Sequence, residues 1–201
     1  MTLPTIGYRF LLPIIPEFRQ RYPEIDLELD FNDRQVDLIE GGFDAAIRSG
    51  KLDDSSLISR RLGPFRFVLC ESPDCFRRMG TPVHPDQLQD HEALRFRFPI
   101  SGKFQEWKLA NGDNPLSTMR IALTCGNMEA IRAAAIDGLG LAYMPEFLAA
   151  DAIHDGVLEA VLQEYLAAPG HFSILWPSAR FMTPRLRAFI DFATERLFTG
   201  A

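Results

Sequence analysis

Four short runs in this 201-residue chain carry groups able to hold an anion. Arg48-Ser49-Gly50 follows a compact apolar run at 43–47, and an arginine there offers a planar, permanently charged donor pair matched to a carboxylate. Cys125-Gly126-Asn127 stands between an apolar run at 119–124 and an amphipathic stretch carrying Met128, Ile131 and Ala135. Its backbone N–H groups are expected at a helix start, where the partial positive charge favours anions. Thr5-Ile6-Gly7-Tyr8 is expected at a second helix start. Arg97-Phe98 ends the strand expected at 93–98 and pairs a cation with a ring.

Each residue also has a plainer reading. Arg48 could be a surface arginine closing a strand, and Arg97 an outward residue alternating with Arg95. Asn32 either faces a ligand or shares a helix-start role with Asp33. Phe98 and Tyr143 offer apolar and hydroxyl contacts, or are strand-end aromatics of the core. Cys125, beside a helix start, has the setting in which a thiol becomes reactive, which would suit a redox sensor. The other cysteines, Cys70 and Cys75, show no resolving-partner spacing, so a structural or cleft-lining cysteine is the simpler reading.

Catalytic patterns are weak. His91-Glu92 leads into Ala93-Leu94-Arg95, which is no H-E-x-x-H zinc motif, and neither a G-x-S-x-G elbow nor a P-loop occurs. His84, Asp86 and His91 fit a polar turn better than a metal site. Gly138-Leu139-Gly140 follows a helix rather than a strand, so it ends one element and admits the next. No catalytic residue, metal or cofactor is expected.

The elements that must position these groups alternate between strand and helix, the pattern of an α/β protein. Residues 12–22 read as a helix, with Pro13 and Pro16 tolerable only in its first turn. Residues 25–31 alternate apolar and acidic side chains as a strand does. A helix from Asp33 ends at Gly41-Gly42, and the strand at 43–47 follows. Residues 57–70 read as two strands across a turn at Gly63-Pro64. Ser72-Pro73 opens a helix, 93–98 is a strand, and 104–112 reads as a hairpin turning at Asn111-Gly112. After the helix from Gly126-Asn127 come a buried strand at 140–143, a helix at 145–152 and a strand at 171–176. Thr183 and Pro184 cap a last helix whose stripe is Leu186, Phe189, Ile190, Ala193 and Leu197.

The formal net charge of -6 argues against a broad nucleic-acid surface, since phosphate binding needs a Lys/Arg-rich face. No apolar run reaches membrane-spanning length, no signal peptide begins the chain, and three cysteines fit a reducing compartment, so the expected location is cytoplasmic.

The run DRQVDLIEGGFDAAIRSGKLDDSSLISRRLG at 33–63 closely resembles the ligand-sensing domain of LysR-type transcriptional regulators. In the same order, LLPIIPEFRQRYPEIDLEL, GTPVHPDQLQDHEALRF, NMEAIRAAAIDGLGLAYMPEFLA and SARFMTPRLRAFIDFATERL resemble further segments of that family. The family's N-terminal helix-turn-helix and linker helix are absent from the chain, which reads as an excised sensing domain or a stand-alone sensor. Where the family often has Ser between the proline and glycine of its first loop, Pro4-Thr5-Ile6-Gly7 is one residue shorter, and Thr5 stands in.

The resemblance implies two Rossmann-like lobes of the periplasmic-binding-protein type II architecture, hinged by two crossover strands. Residues 1–70 with 171–201 would form lobe I and 71–170 lobe II. A small effector, a carboxylate or other anion, would bind between them, and DNA would be met only through the absent N-terminal domain. It further implies a homodimer or tetramer through residues 12–31 and lobe II, with no membrane partner and no enzymatic activity. The alternatives are a stand-alone small-molecule-binding protein of the same fold and a redox sensor using Cys125.

Overall fold

The computed structural model describes residues 4–31, 38, 41–49, 56–99, 101–178 and 182–198. They fall into two compact units, Met1–Pro64 with Gly170–Ala201, and Phe65–Pro169. The sequence reading placed 65–70 with the first unit. In the structure they cluster with the second, because strand β3 (Phe67–Glu71) takes both its partners there.

The first unit opens with a short helix α1 (Pro4–Ile6), a π-helical turn Gly7–Leu11 and helix α2 (Leu12–Arg21). The widened turn has a local cause. Pro13 lacks an N–H and its ring would collide with the carbonyl four residues back. Leu12 N–H therefore bonds to the Gly7 carbonyl instead. The sheet has the order β1 (Ala46–Ser49), β8 (Gly170–Pro177), β2 (Leu57–Phe65), with Ile47 opposite Ile174 and Arg48 opposite Ser173 in an antiparallel ladder.

Helix α6 (Pro184–Arg196) begins as expected. Thr183 Oγ1 accepts from Leu186 N–H at 3.3 Å, and Leu186, Ile190 and Ala193 face inward with Phe192. The fully buried Phe18 of α2 meets Phe189 and Phe192 edge-on, and Arg196 grips Glu17 with Nε and Nη2 at 2.6–3.1 Å.

Three sequence expectations change in this unit. Residues 26–30 run without strand assignment although their apolar-in, acidic-out alternation is kept at 25–28. Strand β2 passes through Gly63-Pro64 unbroken and stops at Arg66; Gly63 lets the chain pass where a Cβ would lie 2.5 Å from Phe198. The strand expected at 43–47 is shifted, so Arg48 and Ser49 lie within β1 rather than on a turn. The helix from Asp33 falls largely outside the described residues. At its expected end, Gly42 has φ +71° and Phe43 N–H bonds to the Leu38 carbonyl.

The second unit is a five-stranded sheet in the order β5 (Arg120–Cys125), β4 (Glu92–Phe96), β6 (Leu141–Pro145), β3, β7 (Glu159–Val161). β4 runs parallel to β5 and β6, whereas β3 runs antiparallel to β6 and β7. Both faces are covered, so its central strands read as continuous apolar runs. Alternation sends Val68, Cys70, Ala142 and Met144 toward helices α4 (Met128–Ile136) and α5 (Glu146–His154). Leu69, Leu141 and Tyr143 go to the opposite face with Trp107, Leu88 and Phe76 of α3 (Pro73–Met79).

Gly138, with φ +72°, ends α4 in a left-handed exit. Its N–H and that of Leu139 bond back to the carbonyls of Ala135 and Ala134. At Gly140 a Cβ would meet the Glu92 carbonyl at 2.7 Å, so only glycine lets β6 start beside β4. The expected hairpin at Asn111-Gly112 is displaced. Arg97 pairs with Phe104 around Gly102, while Asn111-Gly112 forms a tight turn within 109–113.

Candidate functional site

In the second unit, the parallel strands β4 and β5 end side by side where α4 begins. Arg97 N–H donates to the Cys125 carbonyl at 2.9 Å. Gly126 follows so closely that a Cβ there would lie 3.2 Å from both the Arg97 carbonyl oxygen and Pro99. Asn127 caps α4, its side-chain oxygen accepting from Ala130 N–H at 3.0 Å. The structure thus brings together Arg97, Phe98, Cys125, Gly126 and Asn127 from two separate sequence runs. Arg97, Gly126 and Asn127 are exposed, Phe98 is 39% exposed and packs edge-on against Phe96, and Cys125 is half-buried.

The sequence reading missed members of this cluster. Thr124, exposed at the end of β5, accepts from Arg95 Nε and Nη2 at 3.3 and 3.2 Å. The Arg95 guanidinium lies 3.9 Å from the centre of the Phe104 ring, a cation–π contact that holds the 97–104 turn against the strand ends. A signal was present: Arg95 sits two residues before Arg97, and Thr124 one residue before Cys125. Their pairing needed the β4–β5 register, which places Arg95 opposite Thr124.

Tyr143 stands apart from this cluster. It is 5% exposed, stacked on Phe67 at 4.6 Å, and its phenol is held by the backbone at Lys108, while burial raises its pKa. It serves the core.

In the first unit, Arg48 is half-buried at the end of β1, and Ser49 beside it is exposed. Burial lowers the Arg48 pKa, the mark of a guanidinium taken partly out of water. Thr5 and Ile6 lie in α1, and Gly7 and Tyr8 in the π-turn. Ile6 and Gly7 are buried, Thr5 is half-buried, and Tyr8 is 60% exposed with its ring edge-on to Phe31 at 5.2 Å. Asn32 and Gly50 lie outside the described residues.

A second titratable group, Glu71 with His91 and Cys75, escaped the sequence reading. Instead of lying on an open polar turn, His91 is 4% exposed, with Nδ1 3.7 Å from the carboxylate of Glu71, itself 1% exposed. Burial pushes the Glu71 pKa up, against smaller opposing effects of the Cys75 thiol, His91 and Arg78. His84 and Asp86 do form a polar turn, where His84 Nδ1 and Gln87 cap the 3₁₀ turn Pro85–Asp90. Among the described residues, no three His, Cys, Asp or Glu side chains converge as a metal site. No helix among them is long and apolar enough to cross a membrane.

The polar groups gathered at the ends of β4 and β5 lie where open α/β sheets take ligands. The sequence matches the LysR substrate binding domain over residues 1–198, and the chain belongs to that family. It is 32% identical to an HTH-type transcriptional regulator of Xanthomonas campestris pv. campestris, covering 98% of this chain and 58% of the relative. It is likewise 32% identical to the HTH-type transcriptional regulator CrgA of Neisseria meningitidis, covering 93% of this chain and 62% of CrgA. The chain therefore spans about three fifths of the length of these curated relatives. The solved CrgA regulatory domain superposes with a TM-score of 0.82 at 30% identity, covering 98% of this chain and 96% of that domain. The expected α/β architecture of LysR regulatory domains is thus the observed one.

Proposed function

We propose that this LysR-family effector-binding domain senses a small anionic metabolite and is not an enzyme. The observation that carries the reading is the convergence of Arg97, Thr124, Cys125, Gly126 and Asn127 at two parallel strand ends and a helix start. Strand ends are where open α/β sheets take ligands, and helix starts favour negative charge. Arg48 and Ser49 would supply a matching cation and hydroxyl from lobe I, and the reading also takes in Thr5, Ile6, Gly7 and Tyr8 with Asn32 and Gly50, the last two lying outside the described residues. The effector then sits between lobes and shifts their arrangement, which requires that it bind one arrangement more tightly than the other.

In the whole protein that shift would be passed to DNA-binding domains, as befits a cytoplasmic regulator. Pairing of two copies through residues 12–31 and lobe II would set the spacing of those domains. Exposed Leu12 gives this surface apolar contact area. A thermal-shift screen of small carboxylates and other anions tests the reading, because a ligand that binds only the folded state raises the melting temperature. A stabilising anion whose effect is lost in Arg48→Ala and Arg97→Ala supports it. Stabilisation only by cations or neutral sugars would sink the anionic assignment.

A further inference from the structure

Among the described residues, only two phenylalanines are exposed, Phe98 and Phe104. Both stand in the turn that follows β4, beside the strand ends that carry the proposed anion site. One apolar ring in water is ordinary, but two in one short turn beside a cation mark a surface that a ligand covers.

Register fixes which way each group points. Arg95 stands opposite Thr124 in the parallel ladder, and Arg97 pairs with Phe104 across the turn. Alternate residues of a strand share a face, so Arg95, Arg97, Thr124 and Phe104 lie on one face. Phe96 and its partner Cys125 lie on the other, packed on the core cluster of α4, and Phe98 leans edge-on against Phe96. Phe104 is therefore the exposed ring that shares a face with the cations.

The two arginines of that face are not equivalent. Arg95 is occupied, with Nε and Nη2 donating to Thr124 Oγ1 and its flat guanidinium 3.9 Å from the centre of the Phe104 ring. Arg97 is exposed, and its side chain makes no hydrogen bond or ion pair with a described residue. Arg95 thus positions the ring, and Arg97 is the cation left for a ligand. Bridge partners hold their Cβ atoms about 5 Å apart, so one small molecule can touch both Arg97 and Phe104.

The stacked guanidinium also alters what the ring attracts. A phenyl face carries partial negative charge, which disfavours an anionic ring laid flat upon it. A cation on the opposite face offsets that charge. Phe104 is 47% exposed, and Arg95 is its one ring or cation contact among the described residues, which leaves the second face to a ligand.

We infer that the effector is an aromatic acid, its ring stacked on Phe104 and its carboxylate on Arg97. This rests on the anion-sensing reading of the strand-end site and adds the class of the anion. Phe104 sets the specificity, and Arg95 holds it in place. A saturated acid of the same charge and size meets Arg97 equally well but loses the stacking.

Benzoate and cyclohexanecarboxylate, monoanions of similar size, separate the two contributions. In thermal-shift titrations of the 201-residue chain, benzoate is expected to give the same rise in melting temperature at about one third of the concentration or less, as one stacking contact provides. Phe104→Leu should erase that difference, Phe104→Tyr should keep it, and Arg97→Ala should weaken both acids. Equal potency of the two acids on the unaltered chain, or a difference that survives Phe104→Leu, would overturn the inference. Stabilisation by succinate or phosphate with none by benzoate would overturn it as well, while leaving the anionic reading standing. No stabilisation by any of these anions would end both.

Discussion

Glu71 shows how one buried side chain sets a pH dependence. Its folded pKa lies above the ordinary carboxylate value because ionisation would place a charge in a site almost closed to water. A raised folded pKa means the native state holds the proton more tightly than the unfolded chain does. That stability is fully present below the unfolded value, near pH 4, and is lost as pH rises through the folded pKa. Urea titrations of the second unit should therefore show stability falling from about pH 4 upward, and Glu71→Gln should flatten that slope. A slope unchanged by Glu71→Gln would assign it to another group.

The thiols divide on similar grounds. Cys70 is fully buried and pushed up to about 12, and Cys75 is raised by burial and by Glu71, so an aromatic disulfide reagent should modify half-buried Cys125 first. Mass spectrometry after one equivalent identifies the site. Cys125, Arg97 and Arg48 were legible as single residues because their types and strand-end positions are written in the chain. The partnership of Arg95 with Thr124 was not, because it depends on a ladder register with a shift between Ala93 and Leu94.

At the level of elements, helix ends proved the most readable features. Thr183-Pro184, Ser72-Pro73 and Asn127 all cap helices as their chemistry requires, because a cap is a local bargain between one side chain and the next three N–H groups. Thr183→Ala should cost about 1 kcal/mol, read as a melting point lower by roughly 2–4 °C. Strand continuity was less readable. Gly63-Pro64 looks like a turn, yet β2 runs through it because Phe198, stacked on Phe172 at 4.9 Å, covers the glycine. That contact joins residues far apart in sequence, so no local pattern announces it. Gly63→Ala should destabilise the first unit by about 1–3 kcal/mol through overpacking, measurable by denaturant unfolding. Residues 25–29 keep a strand's alternation without a strand assignment, since alternation records which face is wet and says nothing about which backbone lies alongside.

At the scale of the whole molecule, family and fold were legible because five ordered segments resemble one family, and the match extends over residues 1–198. The division of the chain was less so near residue 65, where β3 joins the second unit through its neighbours β6 and β7. Self-association through residues 12–31 is an expectation for light scattering. A concentration-dependent rise in mass, weakened by Leu12→Glu, would support it, and a monomer at all concentrations would count against it.

The placement of β8 has a consequence in time. β8 is the middle strand of the first sheet, and it emerges after the whole of the second unit. During synthesis, Phe65–Pro169 can therefore close while β1 and β2 still wait for the strand that joins them. For that interval the early apolar segments are left to chaperones or to premature association. A chain stopped after Pro169 should show protease resistance confined to the second unit, with cleavage throughout residues 4–64. Protection of 4–64 in that truncated chain would show that the first unit forms without its central strand.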